Sequence, residues 1–370
     1  MSRWNCLVAS LIAAASGGWP AAAPSAEPPP PGPPWQRELA AAQKTALEKG
    51  TPIFVYFTKK VCPHCVPVEK NTLPSPALEP AYDRLAWLYV NRNFDGSPLD
   101  RAAERIELRF GVSSYPKLLL VHPETLEVIR PVGRTPQAIL AGVDRAPVRV
   151  AEPKAAAERL QKAEERAAKL VKSPTVAAAK KGLDDEDVVV RYQALQVLAA
   201  RDPRAVVARA GELLRVPHDP FRYEVCEVLE KAGDRTAAAA LEALARKPEG
   251  SLNPNVLRVR AVQALSRCGG ETSVPVVASF ATTGDANNGL TGAAVDALGA
   301  IAARAPRAKA AVKAALVESY PPPGGSGADR ARREELARRV HRQLVALTGK
   351  AVPFPAVYDE PGRAKLMKGW

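Results

Sequence analysis

The sequence has few of the residues from which metal and haem sites are built. Among 370 residues there are five cysteines and four histidines, and only Cys62 and Cys65 form a close pair. A closed zinc site usually needs a second such pair, or two suitably spaced histidines, and neither occurs. Covalent haem attachment needs a histidine directly after Cys-x-x-Cys, and Val66 stands there instead. The sequence therefore excludes c-type haem attachment and disfavours structural zinc.

Long apolar runs are also missing. The run near the N-terminus, at about residues 4–15, is too short for an ordinary membrane span. It follows one arginine and precedes small residues, which predicts a secretory signal peptide cleaved near Ala23 or Ala26. Cys6 stands at the start of the run, so there is no lipobox. We expect a periplasmic or secreted bacterial protein, attached to a membrane only if the signal stays uncleaved, in which disulfide chemistry is permitted.

Strand and helix signals surround the cysteine pair, in FVYFTKKVCPHCVPVEK at residues 54–70. Before it, QRELAAAQKTALEKG has helical composition and ends on Gly50, a typical helix stop. The continuous apolar run TPIFVYFT predicts a strand buried on both faces. Pro63 suits the first position of a helix that continues through Glu69.

Strands and helices continue after the pair. The patterns predict a helical patch at about 77–85, a strand AWLYVNR, a helix LDRAAERIELRF, the segment GVSSYP, strands KLLLVH and EVIRPVG, and a helix from Thr135. Early alternation of strands and helices is followed by a hairpin, so we expect a mixed central sheet flanked by helices.

Residues 36–147 resemble a thioredoxin-fold domain. The resemblance rests on CPHC after the buried strand and on SSYP, which is similar to the family's cis-proline loop. The stretch GTPIFVYFTKKVCPHCVPVEKNTL is most similar to exported domains typified by the C-terminal domain of DsbD, whereas CPHC itself is similar to DsbA-type oxidases. The resemblance implies thiol–disulfide exchange with no cofactor beyond a redox-active Cys62–Cys65 disulfide. It places Tyr115 and a cis Pro116 in the groove for an extended substrate.

The resemblance also gives the two cysteines different roles. Cys62 would exchange disulfides with clients, and Cys65 would be the shielded resolving thiol. A helix N-terminus beginning at Pro63, together with a protonated His64, would stabilise the Cys62 thiolate. We therefore take Pro63 and His64 as activating residues. A stabilised thiolate favours an oxidant, while the strand and helix context resembles reductive relays, so oxidase, isomerase and relay all stay open.

Three residues depart from the family's pattern. Val61 replaces a common aromatic residue, and Tyr56 stands where many members carry a buried acid. Pro67 falls early in the predicted helix and removes a backbone hydrogen bond. These departures keep open a non-catalytic scaffold that binds proteins through a degenerate domain. Copper handling by the two thiolates is a third possibility.

The second half of the chain has a different pattern. Ala-rich, charged residues 148–172 predict a solvated helical connector. From residue 173 to 319, two apolar columns recur at spacings of 31, 36 and 33: Leu198, Leu229, Leu265 and Leu298, and Ala194, Val225, Ala261 and Ala294. Such repeats predict an α-solenoid similar to HEAT-type repeats, which usually hold a partner protein.

The remaining features concern packing and charge. Cys226 and Cys268 fall six columns apart in equivalent helices, so we expect two separate thiols rather than a disulfide. The breaker YPPPGGSG and a basic helix (320–348) predict a cap, and the tail (349–370) either packs on it or stays loose. The net charge of +13 is spread along the chain, which disfavours specific nucleic-acid binding.

Together these patterns predict seven segments: a signal peptide (1–26), a Pro-rich linker (27–35), a thioredoxin-like domain (36–147), a charged connector (148–172), a HEAT-like repeat domain (173–319), a breaker and capping helix (320–348), and a tail (349–370). We expect an exported thiol–disulfide oxidoreductase without a metal. Its partners would be client proteins with thiols or disulfides and a redox partner protein.

Overall fold

The computed structural model describes residues 28–251, 253–282 and 289–370, so the predicted signal peptide lies outside the described residues. The chain forms an α/β unit followed by a helical repeat unit, which is the fold class expected from the sequence. The strands are β1 (Trp35–Gln36), β2 (Ile53–Lys59), β3 (Ala86–Arg92), β4 (Lys117–Val121) and β5 (Val128–Pro131). The first helices are α1 (Leu39–Lys49), α2 (Pro98–Arg109), α3 (Pro136–Asp144) and α4 (Pro153–Lys172).

The sheet of the first unit is mixed, as predicted. Its order is β1-β3-β2-β4-β5; the pairs β1–β3 and β3–β2 are parallel, and the pairs β2–β4 and β4–β5 are antiparallel. The short strand β1 was not expected, because the sequence there reads as a Pro-rich linker. The Trp35 ring packs edge-on against Trp87, with the ring centroids 5.5 Å apart, and this contact fixes β1 beside β3.

The apolar run that predicted a strand is β2, buried on both faces. Ile53, Val55 and Phe57 face one core of the sheet, and Phe54 and Tyr56 face the other. All of these side chains are fully buried. Because β2 pairs with β3 on one side and β4 on the other, the strand end that carries the cysteine pair lies at the middle of the sheet edge.

The helix α4 differs from the solvated connector that its charged sequence predicted. Five small or apolar side chains along one face are buried: Ala156, Leu160, Ala163, Ala167 and Leu170. Leu160 belongs to a core of the sheet unit, whereas Ala163, Ala167 and Leu170 belong to the core of the repeats. The prediction was wrong because alanine counts as weakly apolar in a sequence, yet allows close helix packing.

The repeat unit is built of α5 (Val176–Gly182), α6 (Val188–Arg201), α7 (Pro203–Ala208), α8 (Ala210–Leu213), α9 (Asp219–Ala232), α10 (Ala238–Arg246), α11 (Pro254–Cys268), α12 (Val274–Ala281), α13 (Gly289–Arg304) and α14 (Lys309–Glu318). The two predicted columns lie on α6, α9, α11 and α13, and all eight side chains are fully buried. Cys226 and Cys268 are free and buried, as expected. Burial raises the pKa of the Cys226 thiol to about 12.

The last two helices, α15 (Gly327–Thr348) and α16 (Glu360–Gly369), extend the packed repeat unit. Tyr358 and Leu366 of the tail join the repeat core, and the indole of Trp370 donates to the Tyr320 hydroxyl at 3.0 Å. The tail therefore packs on the cap. Among the described residues, no helix combines the length and apolarity that a membrane crossing needs.

Candidate functional site

The cysteine pair forms a disulfide directly after β2. Cys62 and Cys65 are bonded, with their Cα atoms 5.2 Å apart. Cys62 keeps 8% of its surface exposed, whereas Cys65 keeps 1%. Pro63 and His64 between them are both exposed. Cys62 is thus the more exposed of the two residues, and Cys65 is covered.

The helix predicted to run from Pro63 through Glu69 is less regular than expected. The Cys65 and Val66 amides donate to the Cys62 carbonyl, at 2.9 and 3.3 Å, so Cys62 opens a tight turn. Residues Val68–Thr72 then form a π-helical turn. Pro67 has no N–H to continue an α-helical ladder, which accounts for the irregular start. The helix-dipole support expected for Cys62 is correspondingly weaker.

Glu69 is a candidate site residue that sequence reasoning missed. Its Oε1 accepts hydrogen bonds from the Tyr56 hydroxyl at 2.9 Å and the Thr58 hydroxyl at 2.8 Å. The Glu69 amide donates to the Cys65 carbonyl at 3.0 Å, so Glu69 follows Cys65 by one helical turn. Tyr56 stands where the resemblance led us to look for an acid, and the structure supplies a carboxylate to that hydroxyl from the neighbouring turn. The spacing of four residues after Cys65 was the available signal.

The Tyr115–Pro116 segment lies beside the strand that leads to the cysteines. The peptide bond between these residues is cis, as the resemblance implied. The Lys59 ammonium group lies 5.5 Å from the centre of the Tyr115 ring. The Tyr115 hydroxyl donates to the Glu107 carboxylate, and burial raises the pKa of Glu107 to about 7.

The loop before Tyr115 is attached to the repeat unit. The Asn253 amide donates to the Ser113 hydroxyl at 2.9 Å. The His218 Nε2 contacts the Leu108 carbonyl, and its Nδ1 accepts from the Phe221 amide at 3.2 Å. These two contacts require neutral His218 with the proton on Nε2, and burial lowers the pKa of this side chain. The repeats therefore help to fix the loop that carries Tyr115.

Three exposed apolar side chains follow the adjacent strands β2 and β3, two of them directly beside the cysteines in the chain. Val61 is 84% exposed, Phe94 59% and Val66 41%. Val61 and Phe94 have left-handed backbones, with φ of 57° and 56°, and follow the adjacent strands β2 and β3. A β-branched residue rarely adopts this conformation, so Val61 holds its side chain in solvent at a conformational cost.

The histidines and carboxylates outside the disulfide are of the residue types that ligate metal ions. Among the residues that the structure describes, no three His, Cys, Asp or Glu side chains are grouped so that they could hold a metal ion. His64 makes no hydrogen bond or ion pair with any described residue, so its activating role stays a prediction.

Comparison with known proteins identifies one part of the chain. Residues 176–253 match the family model of HEAT repeats, in agreement with the repeat pattern seen in the sequence and with the paired helices. No curated protein matches the chain. HEAT repeats generally mediate protein–protein interactions, which is consistent with a protein partner for this part of the chain.

Proposed function

We propose that the chain exchanges disulfides with client proteins through Cys62 and Cys65, and that the repeats hold the client or a partner protein. The observation that carries this proposal is the disulfide itself. It joins Cys62, which keeps a small exposed surface, to the covered Cys65 at the middle of a sheet edge, and the cis Tyr115–Pro116 segment lies beside Lys59 at the end of the same strand. The resemblance of residues 36–147 to exported thioredoxin-like domains supports the same chemistry.

In the oxidising direction, a client thiolate attacks the Cys62 sulfur. A new disulfide forms between client and Cys62, the Cys62–Cys65 bond breaks, and its electron pair remains on Cys65 as a thiolate. A second client thiolate then attacks the client sulfur of the mixed disulfide and releases the Cys62 thiolate. The client dithiol is oxidised by two electrons and the enzyme disulfide is reduced by two. The same steps in reverse reduce a client disulfide, and a redox partner protein restores the starting state.

Cys65 changes protonation in each cycle, and we assign Glu69 as the carboxylate that exchanges this proton. Glu69 lies one turn after Cys65 and is oriented by two hydroxyl donors. A buried thiol needs a nearby proton acceptor because burial disfavours its thiolate. Catalytic turnover therefore does not need an acid at position 56 of the strand, because Glu69 takes that role beside Tyr56.

The exposed apolar rim formed by Val61, Val66 and Phe94 suits unfolded or extended clients. Such clients present apolar side chains that a folded protein buries, and contact with the rim would bring a cysteine to Cys62. The N-terminal sequence predicts that the protein works in the periplasm or outside the cell. Client proteins acquire their disulfides in these compartments.

The decisive measurement is the equilibrium of the Cys62–Cys65 pair in graded glutathione buffers, on protein with Cys226→Ala and Cys268→Ala. We expect a two-electron transition at one defined glutathione ratio. An oxidising reduction potential would support a disulfide donor or an isomerase. A strongly reducing potential would support a reductive relay. If the pair stays oxidised or reduced at every ratio, the enzyme proposal fails and the protein-binding scaffold remains.

A further inference from the structure

A cleft of about 960 Å³ lies between the sheet unit and the repeats. One wall is formed by Arg92 at the end of β3 and by Glu104 and Glu107 of α2. The other wall is formed by the inner helices α6, α9, α11 and α13, which carry the repeat columns. The cleft thus exists only because the two units are docked together.

The lining of this cleft is rich in carboxylates. Six carboxylates and four cations line it, in a chain whose net charge is +13. Two of the four cations are engaged inside the protein. The Arg92 guanidinium contacts Glu107 at 2.8 Å, and the Lys231 ammonium contacts Glu227 at 2.7 Å. With six carboxylates against four cations the lining has a formal charge of −2 in a basic chain, and Glu107 and Glu227, the partners of the two engaged cations, are themselves part of the lining.

Of the four carboxylates on the repeat wall, Glu227 and Asp296 pair with Lys231 and Arg339, whereas Glu224 and Glu230 pair with no cation in the described part of the chain. Burial raises the pKa of Glu224, and the neighbouring Glu227 raises it further. Glu230 makes no ion pair with any residue in the described part of the chain. Tyr223 also lines the cleft, and its buried hydroxyl has no hydrogen-bond partner among the described residues. A cationic ligand with polar groups would relieve both the unbalanced charge and the unsatisfied hydroxyl.

Two hydrogen bonds link the lining of the cleft to the Tyr115 loop and to the segment that precedes the cysteine pair. Glu107, which lines the cleft, accepts the hydrogen bond of the Tyr115 hydroxyl. Arg92, also in the lining, accepts through its carbonyl from the Lys60 amide at 2.8 Å, two residues before Cys62. The Tyr115 segment of the proposed client groove and the cleft therefore share the Glu107 side chain.

We propose that this cleft binds an extended segment of the client polypeptide that carries lysine or arginine near the reacting cysteine. The ammonium or guanidinium groups would lie against Glu224 and Glu230, and the Tyr192 and Tyr223 rings would contact the alkyl stems. The proposal rests on thiol–disulfide exchange as the function of the disulfide and names the client feature that the repeats select.

The test compares three peptides with a single cysteine at one end and lysines, glutamates or glutamines along the rest. Their rate constants for attack on the Cys62–Cys65 disulfide are measured at low salt, with glutathione as a small thiol that does not need the cleft. The net charge of the chain alone would favour the glutamate peptide. The cleft instead predicts that the lysine peptide reacts about tenfold faster than the glutamate peptide, and that salt removes the difference.

The double variant Glu224→Gln/Glu230→Gln should remove most of the difference in rate constant between the lysine and glutamate peptides. Its rate constant for reduction by glutathione should stay unchanged. Glu318→Gln is the matched control, because Glu318 is exposed on α14 and does not line the cleft. Binding of the same peptides with serine in place of cysteine, followed by fluorescence anisotropy, gives a readout that needs no redox step.

The outcomes separate the two proposals. If the glutamate peptide reacts and binds as well as the lysine peptide, or if the double variant keeps the preference, the cleft proposal is overturned while normal glutathione exchange preserves the enzyme. If glutathione fails to open the disulfide but the lysine peptide still binds and the double variant abolishes binding, the exchange function is refuted and the cleft stands as a binding site.

Discussion

Val61 offers a direct test of the strained loop beside the disulfide. Its φ of 57° is left-handed, and its side chain is 84% exposed, so replacement by glycine loses almost no packing. Relief of the left-handed conformation should stabilise the fold by about 1 to 2 kcal/mol. The extra freedom of glycine in the unfolded chain offsets about 0.5 to 1 kcal/mol of this. Val61→Gly should therefore raise the free energy of unfolding by up to about 1.5 kcal/mol, with a central value of about 0.75 kcal/mol.

The assay is urea unfolding of the oxidised protein, followed by tryptophan fluorescence, since Trp35 and Trp87 both pack in the sheet unit. Val66→Gly is the control: Val66 is also an exposed valine beside the disulfide, but its φ is not positive. Glycine there should destabilise by about 0.5 to 1 kcal/mol. If Val61→Gly destabilises the protein as much as Val66→Gly does, the argument from backbone strain is wrong.

Three further predictions follow from the site. Cys65→Ser should accumulate a mixed disulfide between Cys62 and client, visible on non-reducing gels, whereas Cys62→Ser should trap none; equal trapping by both would contradict the assigned roles. Because burial lowers the pKa of His218, the unfolded chain takes up the extra proton first, and the free energy of unfolding should fall as pH drops below about 6.5. His218→Asn, which keeps a capping acceptor, should flatten that slope in urea titrations at several pH values. The pKa of Glu107 is raised from 4.5 to about 7, so the folded chain holds the extra proton between those values; the free energy of unfolding should fall as pH rises through this window, and Glu107→Gln should remove the decrease.

The elements that sequence patterns predicted correctly are those that depend on local periodicity. The strand β2, the stop at Gly50 and the buried columns of the repeats each follow from apolar spacing or from one residue's backbone preference. The cis bond at Pro116 came from the family resemblance. The strand and the helix stop could be predicted because their determining residues are adjacent in the chain, and the columns because the same local pattern recurs.

The features that sequence patterns missed depend on residues distant in the chain or on weak signals. The two-residue strand β1 exists because the Trp35 ring finds an aromatic cluster fifty residues on, which no local pattern reveals. Glu69 was overlooked because an acid was sought on the strand rather than on the turn after Cys65. The carboxylate-lined cleft requires the packing of α2 against α6, and the sequence pattern of neither helix predicts that contact.

The shared helix α4 has a consequence for how the protein can be divided. Its Leu160 is buried in the sheet unit and its Leu170 in the repeats, while Arg109 of α2 forms ion pairs with Glu164 of α4 and with Asp187 at the start of α6. A cut on either side of α4 would expose half of its apolar face in the fragment that keeps the helix. The other fragment would lose the helix that covers part of its core. We expect the two units to melt together rather than in succession, so that a fragment must contain α4 and both units to keep the disulfide and the repeats in their native arrangement.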